Sequence, residues 1–516
     1  MMARHLHTVL KSTAATCAAF AASAAIAQSG SPAMSTEQWR AFASADLDAV
    51  RDIIKSSHPG AIDDQNPEFQ HWTKIGYEQA RTLIAHVTDY DSAMAAVRSY
   101  VTGFRDGHFV YSDNARKANY AIASNGIGMA LVKGRYLVTA TLPEWPVPLP
   151  PVGAELLSCD GLTPQQIAEQ RHAPYYSRRQ TESDAEVLAS TLHTRAFAGD
   201  ELKRCTYRTT DGETLQQAIA YKSSLTKEYF GQVVPALRKG APGRASPRDN
   251  RYTLKDGVLW IGTANFNPRP GTSQAADLDK MLTELAALTG VKQIVFDTRG
   301  NQGGDSRVGG KIFDAATGGL DFDKSDLASL PRTYAQWRVS DVAVAAFASH
   351  IERMTKVYGA DSNQAGAARD MHKRLQDAKA AGEPWVRQDS DYRITPAEIA
   401  ARGGHLRRFK GAVALVTDHN CASACLDFAD LVRSVPGSVH LGQTTSVDAV
   451  YIDGGGRVKL PNGNVVILPL KVWRNRLRGN NEPWVPHVPL MVDMRDDAAV
   501  TQAVLTALGN PVQAKY

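Results

Sequence analysis

The chain has 516 residues and a formal net charge of +5. That length exceeds what one hydrophobic core usually organises, so two or three domains are expected. Its ordinary apolar and charged content excludes a disordered or fibrous chain, and so small a net charge gives no support for a nucleic-acid partner.

At the N-terminus, Arg4 and Lys11 precede an alanine-rich run over 12–27 that ends in Ala25-Ile26-Ala27. Small residues at Ala25 and Ala27 predict an export signal, residues 1–27, cleaved before Gln28. The mature protein would then be exported, either periplasmic or secreted. The run is too short for a stable spanning helix, and Cys17 lacks the preceding leucine of a lipid anchor. No later run is long and apolar enough for stable membrane insertion.

Residues 28–115 read as a helical domain. Leu47, Val50, Ile53 and Ile54 form one apolar stripe, Ile75, Ala80, Leu83, Ile84 and Val87 a second, and Met94, Ala95, Val97 and Tyr100 a third. His58-Pro59-Gly60 reads as a break between helices. The domain closes on Gly103-Phe104-Arg105-Asp106-Gly107-His108-Phe109-Val110, which puts His108 at the edge of an element. Taken locally, His108 reads more readily as an exposed or structural histidine than as a functional one.

Short β-type runs follow within 116–235, at 121–123, 127–132, 136–140 and 154–159, with a hairpin at Asp211-Gly212. Thr163 and Pro164 start a helix. This is a β-rich module suited to binding or positioning. Residues 236–250, rich in Pro, Gly, Arg and Ser, read as a linker. From 251 to 516 the rhythm is strand, helix, strand, as in a mainly parallel α/β sheet, where ligands gather beyond the C-terminal strand ends. The strand at 292–297 ends in Asp297-Thr298-Arg299-Gly300-Asn301-Gln302-Gly303-Gly304. That loop lacks the Gly-Lys-Ser/Thr of a phosphate loop. Residues 330–404 read as a helical insertion, one candidate use being a lid.

The segment 411–430 is strand, polar turn and helix, with Ser423 between Ala422 and Ala424 at the helix start. Helix starts gather free N–H groups and the positive end of the macrodipole, so a serine there can act as a nucleophile; it can equally cap or pack. Four cysteines remain after cleavage. Cys159 and Cys205 would close a loop within one module. Cys421 and Cys425, one turn apart, suit a local disulfide or apolar burial better than zinc, for no second ligand pair lies nearby. Arg474, Arg476 and Arg478 alternate, either as a solvated strand edge or gathered at a cleft for a carboxylate.

Together these pieces resemble the C-terminal processing and tricorn-like serine peptidases (family S41). The resemblance rests on Asp106-Gly107-His108, on the Asp-x-Arg-Gly-Asn-x-Gly-Gly of 297–304, on Ala422-Ser423-Ala424, and on Gly442-Gln443-Thr444-Thr445. It implies an α/β core of the processing-peptidase/tricorn type (ClpP/crotonase-like), with an N-terminal helical domain and a β-rich PDZ-like domain. Where the processing branch carries its lysine, this chain has Asp448. The resemblance therefore implies a divergent branch in which His108 is the general base for Ser423 and Glu482 completes the relay. Ala424, Gly303 and Gly304 would form the oxyanion hole. Asp106, Asp297, Gln443 and His419 are supporting candidates, His419 as a rival base. Polypeptides or peptides would be substrates, with no cofactor or metal, and an oligomer is open. The alternatives are a non-catalytic peptide-binding or scaffold protein and an esterase or amidase for small substrates.

Overall fold

The strands expected near 293 and 413 pair side by side. In the computed structural model, which describes residues 34–112, 120–241, 250–321, 333–389, 405–452 and 455–509, Gln293–Asp297 and Ala412–Thr417 run parallel, with Asp297 opposite Val416. They are the middle of a six-stranded sheet. Val258–Gly262 and Arg251–Lys255 lie beyond the first, Val439–Gly442 and Val488–Pro489 beyond the second. All neighbours are parallel except the antiparallel pair at the 251–255 edge.

Side-chain alternation explains why the sheet is covered on both faces. Ile294, Phe296, Val413 and Leu415 pack on one side, against Leu278, Met281, Ile312, Phe313 and Phe428. These come from the helices Ser273–Ala287, Ser306–Thr317 and Ala424–Arg433. Val295, Ala414 and Val416 face the other way, onto Val500 and Val504 of the helix Asp497–Gly509. Helix, sheet and helix thus form three layers of a mixed α/β fold.

Three helices occupy the N-terminal segment: Thr36–Ser57, Pro67–Ile84 and Tyr90–Thr102. Ser35 and Asp89 start the first and third with reciprocal capping boxes. Their apolar stripes do not close on themselves. Leu47, Val50, Ile54 and Tyr100 share one core with Trp337, Leu375, Val466 and Val472, from far along the chain. A three-stranded sheet ties the regions together, its strand Val110–Ser112 running antiparallel to Val465–Leu468. That pairing fixes the chain just after His108 against the C-terminal third of the molecule. One compact unit spans Met34–Tyr516.

The β-rich segment forms a five-stranded antiparallel sheet, ordered Ile127–Val132, Arg135–Thr141, Glu155–Cys159, Arg204–Arg208 and Thr214–Ala218. Cys159 and Cys205, opposite each other across two strands, are joined by a disulfide. Thr163 caps the short helix Pro164–Ile167, as its sequence predicts. In the inserted segment, helices Asp341–Tyr358 and Asn363–Ala380 pack beside a four-stranded sheet. The export signal at 1–27, most of the 236–250 linker and the last part of the insertion, 390–404, lie outside the described residues. Among the described residues, no helix is long and apolar enough to cross a membrane.

Candidate active site

The site forms where the two central strands end. Thr298 N–H donates to the Val416 carbonyl, and Gly300 N–H donates to Asp418 Oδ2 at 2.9 Å, so the two strand-end loops are bound to each other. Asp297 holds the first loop together. Its carboxylate accepts from the Arg299 guanidinium at 2.6 and 2.9 Å and from Trp260 Nε1 at 3.1 Å, and Arg299 Nη1 reaches the Met494 carbonyl. Asp297 is therefore a builder of the loop, with its acceptors committed to that frame.

Ser423 stands at the start of the helix Ala424–Arg433 with φ 53° and ψ −124°. A non-glycine residue in that region is strained, at a cost of about 1–3 kcal/mol that the surroundings must offset. The Ser423 hydroxyl makes no capping bond to its own helix. The turn is instead fixed covalently, because Cys421 and Cys425 form a disulfide across Ser423, both buried beside Leu426. Asn420 and Asp418 brace the approach through the Asn420 amide at 3.1 Å. The Ser423 hydroxyl is thereby left out of the helix's own hydrogen bonding, while the Ser423 carbonyl accepts the Leu426 N–H at 2.8 Å.

His108 meets it from the other end of the chain. His108 Nε2 lies 3.2 Å from Ser423 Oγ, within hydrogen-bonding reach across 315 positions. For Nε2 to receive the Ser423 proton, the ring proton must sit on Nδ1. Nδ1 faces Asp106 Oδ1 at 3.7 Å, and the same oxygen accepts the His108 backbone N–H at 2.8 Å. Asp106-Gly107-His108 is thus an Asx-type turn in which one carboxylate both places and orients the histidine. Burial pushes the Asp106 carboxyl up, but its contacts with His108 and His58 outweigh that and leave it below its usual range. It is a carboxylate. The His108 side chain remains 21% exposed while that of Asp106 is fully buried, which suits a base open to substrate and an orienter that is not.

Glu482 is not placed in this role. Its Oε2 accepts the Gly479 N–H at 2.6 Å, closing an exposed turn. Asp106, two positions before the histidine, supplies the nearby carboxylate instead. His419 is likewise turned away. Its Nδ1 meets Gln443 Oε1 at 3.1 Å and its Nε2 meets Glu186 Oε2 at 2.9 Å, so both ring nitrogens are engaged and Gln443 serves His419 rather than Ser423. Burial lowers the His419 imidazole, yet the Glu186 carboxylate outweighs it and the net shift is upward.

The glycine expectations also change. Gly303 N–H donates to Asn301 Oδ1 at 2.8 Å, so that donor is taken. Gly304 forms a parallel β-bridge with Phe266 of the segment that follows the strand Val258–Gly262. What Gly303 contributes is room: a Cβ there would stand 2.8 Å from Ser423 Cβ and 2.9 Å from the Ala424 nitrogen. Ala424 opens the helix, so its N–H has no intrahelical acceptor, and its nitrogen borders the space Gly303 leaves open. Gly303→Ala is expected to fill that space at φ 104° and to abolish most hydrolysis while costing more than about 1 kcal/mol in thermal unfolding. Activity within twofold of the unaltered chain would contradict this account of the gap.

Residues 258–482 match the sequence profile of peptidase family S41. This segment belongs to the S41 peptidases. The S41 match covers the central strands, the 297–304 loop and Ser423, and leaves His108 outside it. No curated protein matches the sequence. Among solved structures, the fold is similar to the crystal structure of mature CPAF, at 12% identity, 88% coverage of this chain, 93% of that one and a TM-score of 0.54. It is similar also to the structure of mature CPAF complexed with lactacystin, at 13% identity, 91% and 98% coverage and a TM-score of 0.55. At such identity the likeness is one of fold.

Within the S41 segment, Asp448 commits one carboxylate oxygen to two arginines, while its buried Oδ2 has no hydrogen-bond partner among the described residues. It accepts from Arg478 Nη1 at 2.7 Å and Arg476 Nη1 at 3.0 Å, and those guanidiniums hold its carboxyl well below the usual range despite burial. Arg474 pairs with Asp63 at 2.8 Å. The three alternate arginines are all buried and paired, so they are neither a solvated edge nor cations offered to a ligand. Sequence reasoning missed this network because Asp63 comes from the N-terminal segment. It also missed Asn301 as the brace of Gly303, and His58, discussed below. Among the described residues, no cluster of three or more His, Cys, Asp or Glu side chains is disposed to hold a metal.

Proposed function

We propose that the chain is an exported serine peptidase working through an acyl-enzyme. The observation that carries this is the 3.2 Å approach of His108 Nε2 to Ser423 Oγ at a strained helix start within an S41 segment. A neutral His108 takes the Ser423 proton as Oγ attacks a peptide carbonyl, then returns it to the leaving amine. Asp106 keeps the ring proton on Nδ1 and supports the imidazolium while it exists. The Ala424 N–H, at the positive end of its helix, faces the oxyanion in the space beside Gly303. Water attacks the acyl-enzyme in the second half, with His108 again as base.

The five-stranded sheet is read as PDZ-like, positioning an extended peptide by strand addition. Export accords with the N-terminal sequence and with two disulfides, which persist in oxidising compartments. Reduced, alkylated casein provides the test against a non-catalytic binding protein. The unaltered chain should cleave it, and Ser423→Ala should lower the rate by at least about a thousandfold, the loss typical of removing a nucleophile. Casein bound but uncut by the unaltered chain would favour the binding module.

A further inference from the structure

One buried titratable group next to the site has no part in the mechanism above. His58 is fully buried between the helix Thr36–Ser57 and the turn Pro59–Ile62. Its ring stacks on Phe69, with centroids 4.4 Å apart, and meets Phe109 and Tyr451 edge-on. Its two nitrogens do different things. Nδ1 accepts the Gly60 N–H at 3.0 Å, capping the turn. An imidazole that accepts at Nδ1 and is neutral carries its proton on Nε2. Burial lowers the His58 imidazole, so it is the neutral form that occupies this apolar box.

That Nε2–H points at Asp106. His58 Nε2 and Asp106 Oδ2 are 3.8 Å apart, both buried, and neither has another hydrogen-bond partner. At that length the contact is charge to dipole rather than a formed hydrogen bond. Two buried polar atoms facing each other with no alternative partner have every reason to keep each other in place. Asp106 Oδ1, meanwhile, holds the His108 backbone N–H and faces His108 Nδ1. We propose that His58 is a positioning residue of the Ser423–His108 pair: its Nε2–H holds one oxygen of Asp106 so that the other stays aimed at His108. This rests on the serine-peptidase reading above.

The other charged or titratable groups facing His58 are accounted for. Asp63 is paired with Arg474 and accepts from the Tyr451 hydroxyl at 2.9 Å, and Tyr451 packs edge-on against His58. Asp106 is the carboxylate toward which the Nε2–H is directed.

The two nitrogens can be separated by substitution. Asparagine places an acceptor near the Nδ1 position, so His58→Asn keeps the Gly60 cap and loses the reach to Asp106. Glutamine places an amide N–H near the Nε2 position, so His58→Gln keeps the reach and loses the cap. The readout is the second-order rate of labelling by a fluorophosphonate over pH, which needs the nucleophile and its base but no knowledge of the peptide. For His58→Asn the rate should fall about tenfold or more, the scale on which misplacement by an ångström acts. Its acid limb, which reports protonation of His108, should move to lower pH by about half a unit or more, because an Asp106 no longer aimed at His108 supports the imidazolium less. His58→Gln should label near the unaltered rate with an unmoved acid limb while melting at a lower temperature.

A His58→Asn chain that labels at the unaltered rate with the same acid limb overturns the proposal. So does a folded His58→Gln chain that labels no faster than His58→Asn; if His58→Asn does not fold, loss of labelling in folded His58→Gln overturns it alone. Absence of Ser423-dependent labelling in the unaltered chain overturns the peptidase reading, and this one with it.

Discussion

His108→Ala is expected to slow casein hydrolysis by about a hundredfold to ten-thousandfold, the contribution of a positioned general base. A serine hydroxyl near neutral pH is a weak nucleophile until a neighbour removes its proton. Within the described geometry His108 Nε2, at 3.2 Å, is the group placed to do so. The other nearby imidazole, His419, has both nitrogens bound to Glu186 and Gln443 and offers no substitute. Asp448, where the resemblance implies a lysine in the processing branch, is held by two arginines. The loss should appear in kcat more than in KM, because proton transfer belongs to the transition state. A His108→Ala chain retaining more than a third of the unaltered kcat would remove His108 from the mechanism.

Arg478→Ala is expected to destabilise the fold by about 3–5 kcal/mol, the cost of leaving buried charges without their partner. Arg478 is 1% exposed. Its Nε donates to Asp430 Oδ1 and its Nη1 to Asp448 Oδ1, both at 2.7 Å. Asp430 lies on the helix that Ser423 begins and also accepts from Trp484 Nε1. The guanidinium therefore pins the nucleophile helix to the strand-end loops. The sign of its pH dependence follows from Asp448, whose folded carboxyl is depressed from an ordinary 3.8. A depressed carboxyl contributes stability that is fully present above its unfolded value and is lost as pH falls through the folded one. The Arg478→Ala penalty should thus be full at neutral pH and shrink only in strong acid. Urea unfolding checks both parts, and a penalty under about 1 kcal/mol at pH 7 would show the network to be unimportant.

Much of the fold was legible because it is periodic. The apolar runs at 293–297 and 412–417 alternate between two buried faces, and such runs announce central parallel strands. Ser423 was legible through its place at a strand–turn–helix junction, and His108 through its short spacing from Asp106. What failed were the partners. The resemblance implies Glu482, yet an exposed glutamate three residues after Gly479 is readily consumed by its own turn. The resemblance implies Gly303 as a donor, yet the asparagine two residues earlier takes its N–H. The alternation at Arg474, Arg476 and Arg478 suggests one exposed face, but their acids are Asp63, Asp430 and Asp448, and no local pattern reveals carboxylates that lie from tens to hundreds of positions away. His58 looked like a helix break, and it is one. Its second nitrogen acquires meaning only once Asp106 is folded against it.

The central claim is that Ser423 is a nucleophile activated by His108. The most direct measurement is intact and peptide-level mass spectrometry after brief exposure to a fluorophosphonate. The account predicts one adduct per chain, on the peptide containing Ser423, formed far more slowly in His108→Ala. Recovery of the chain without an adduct, or with the adduct on another residue, would contradict it.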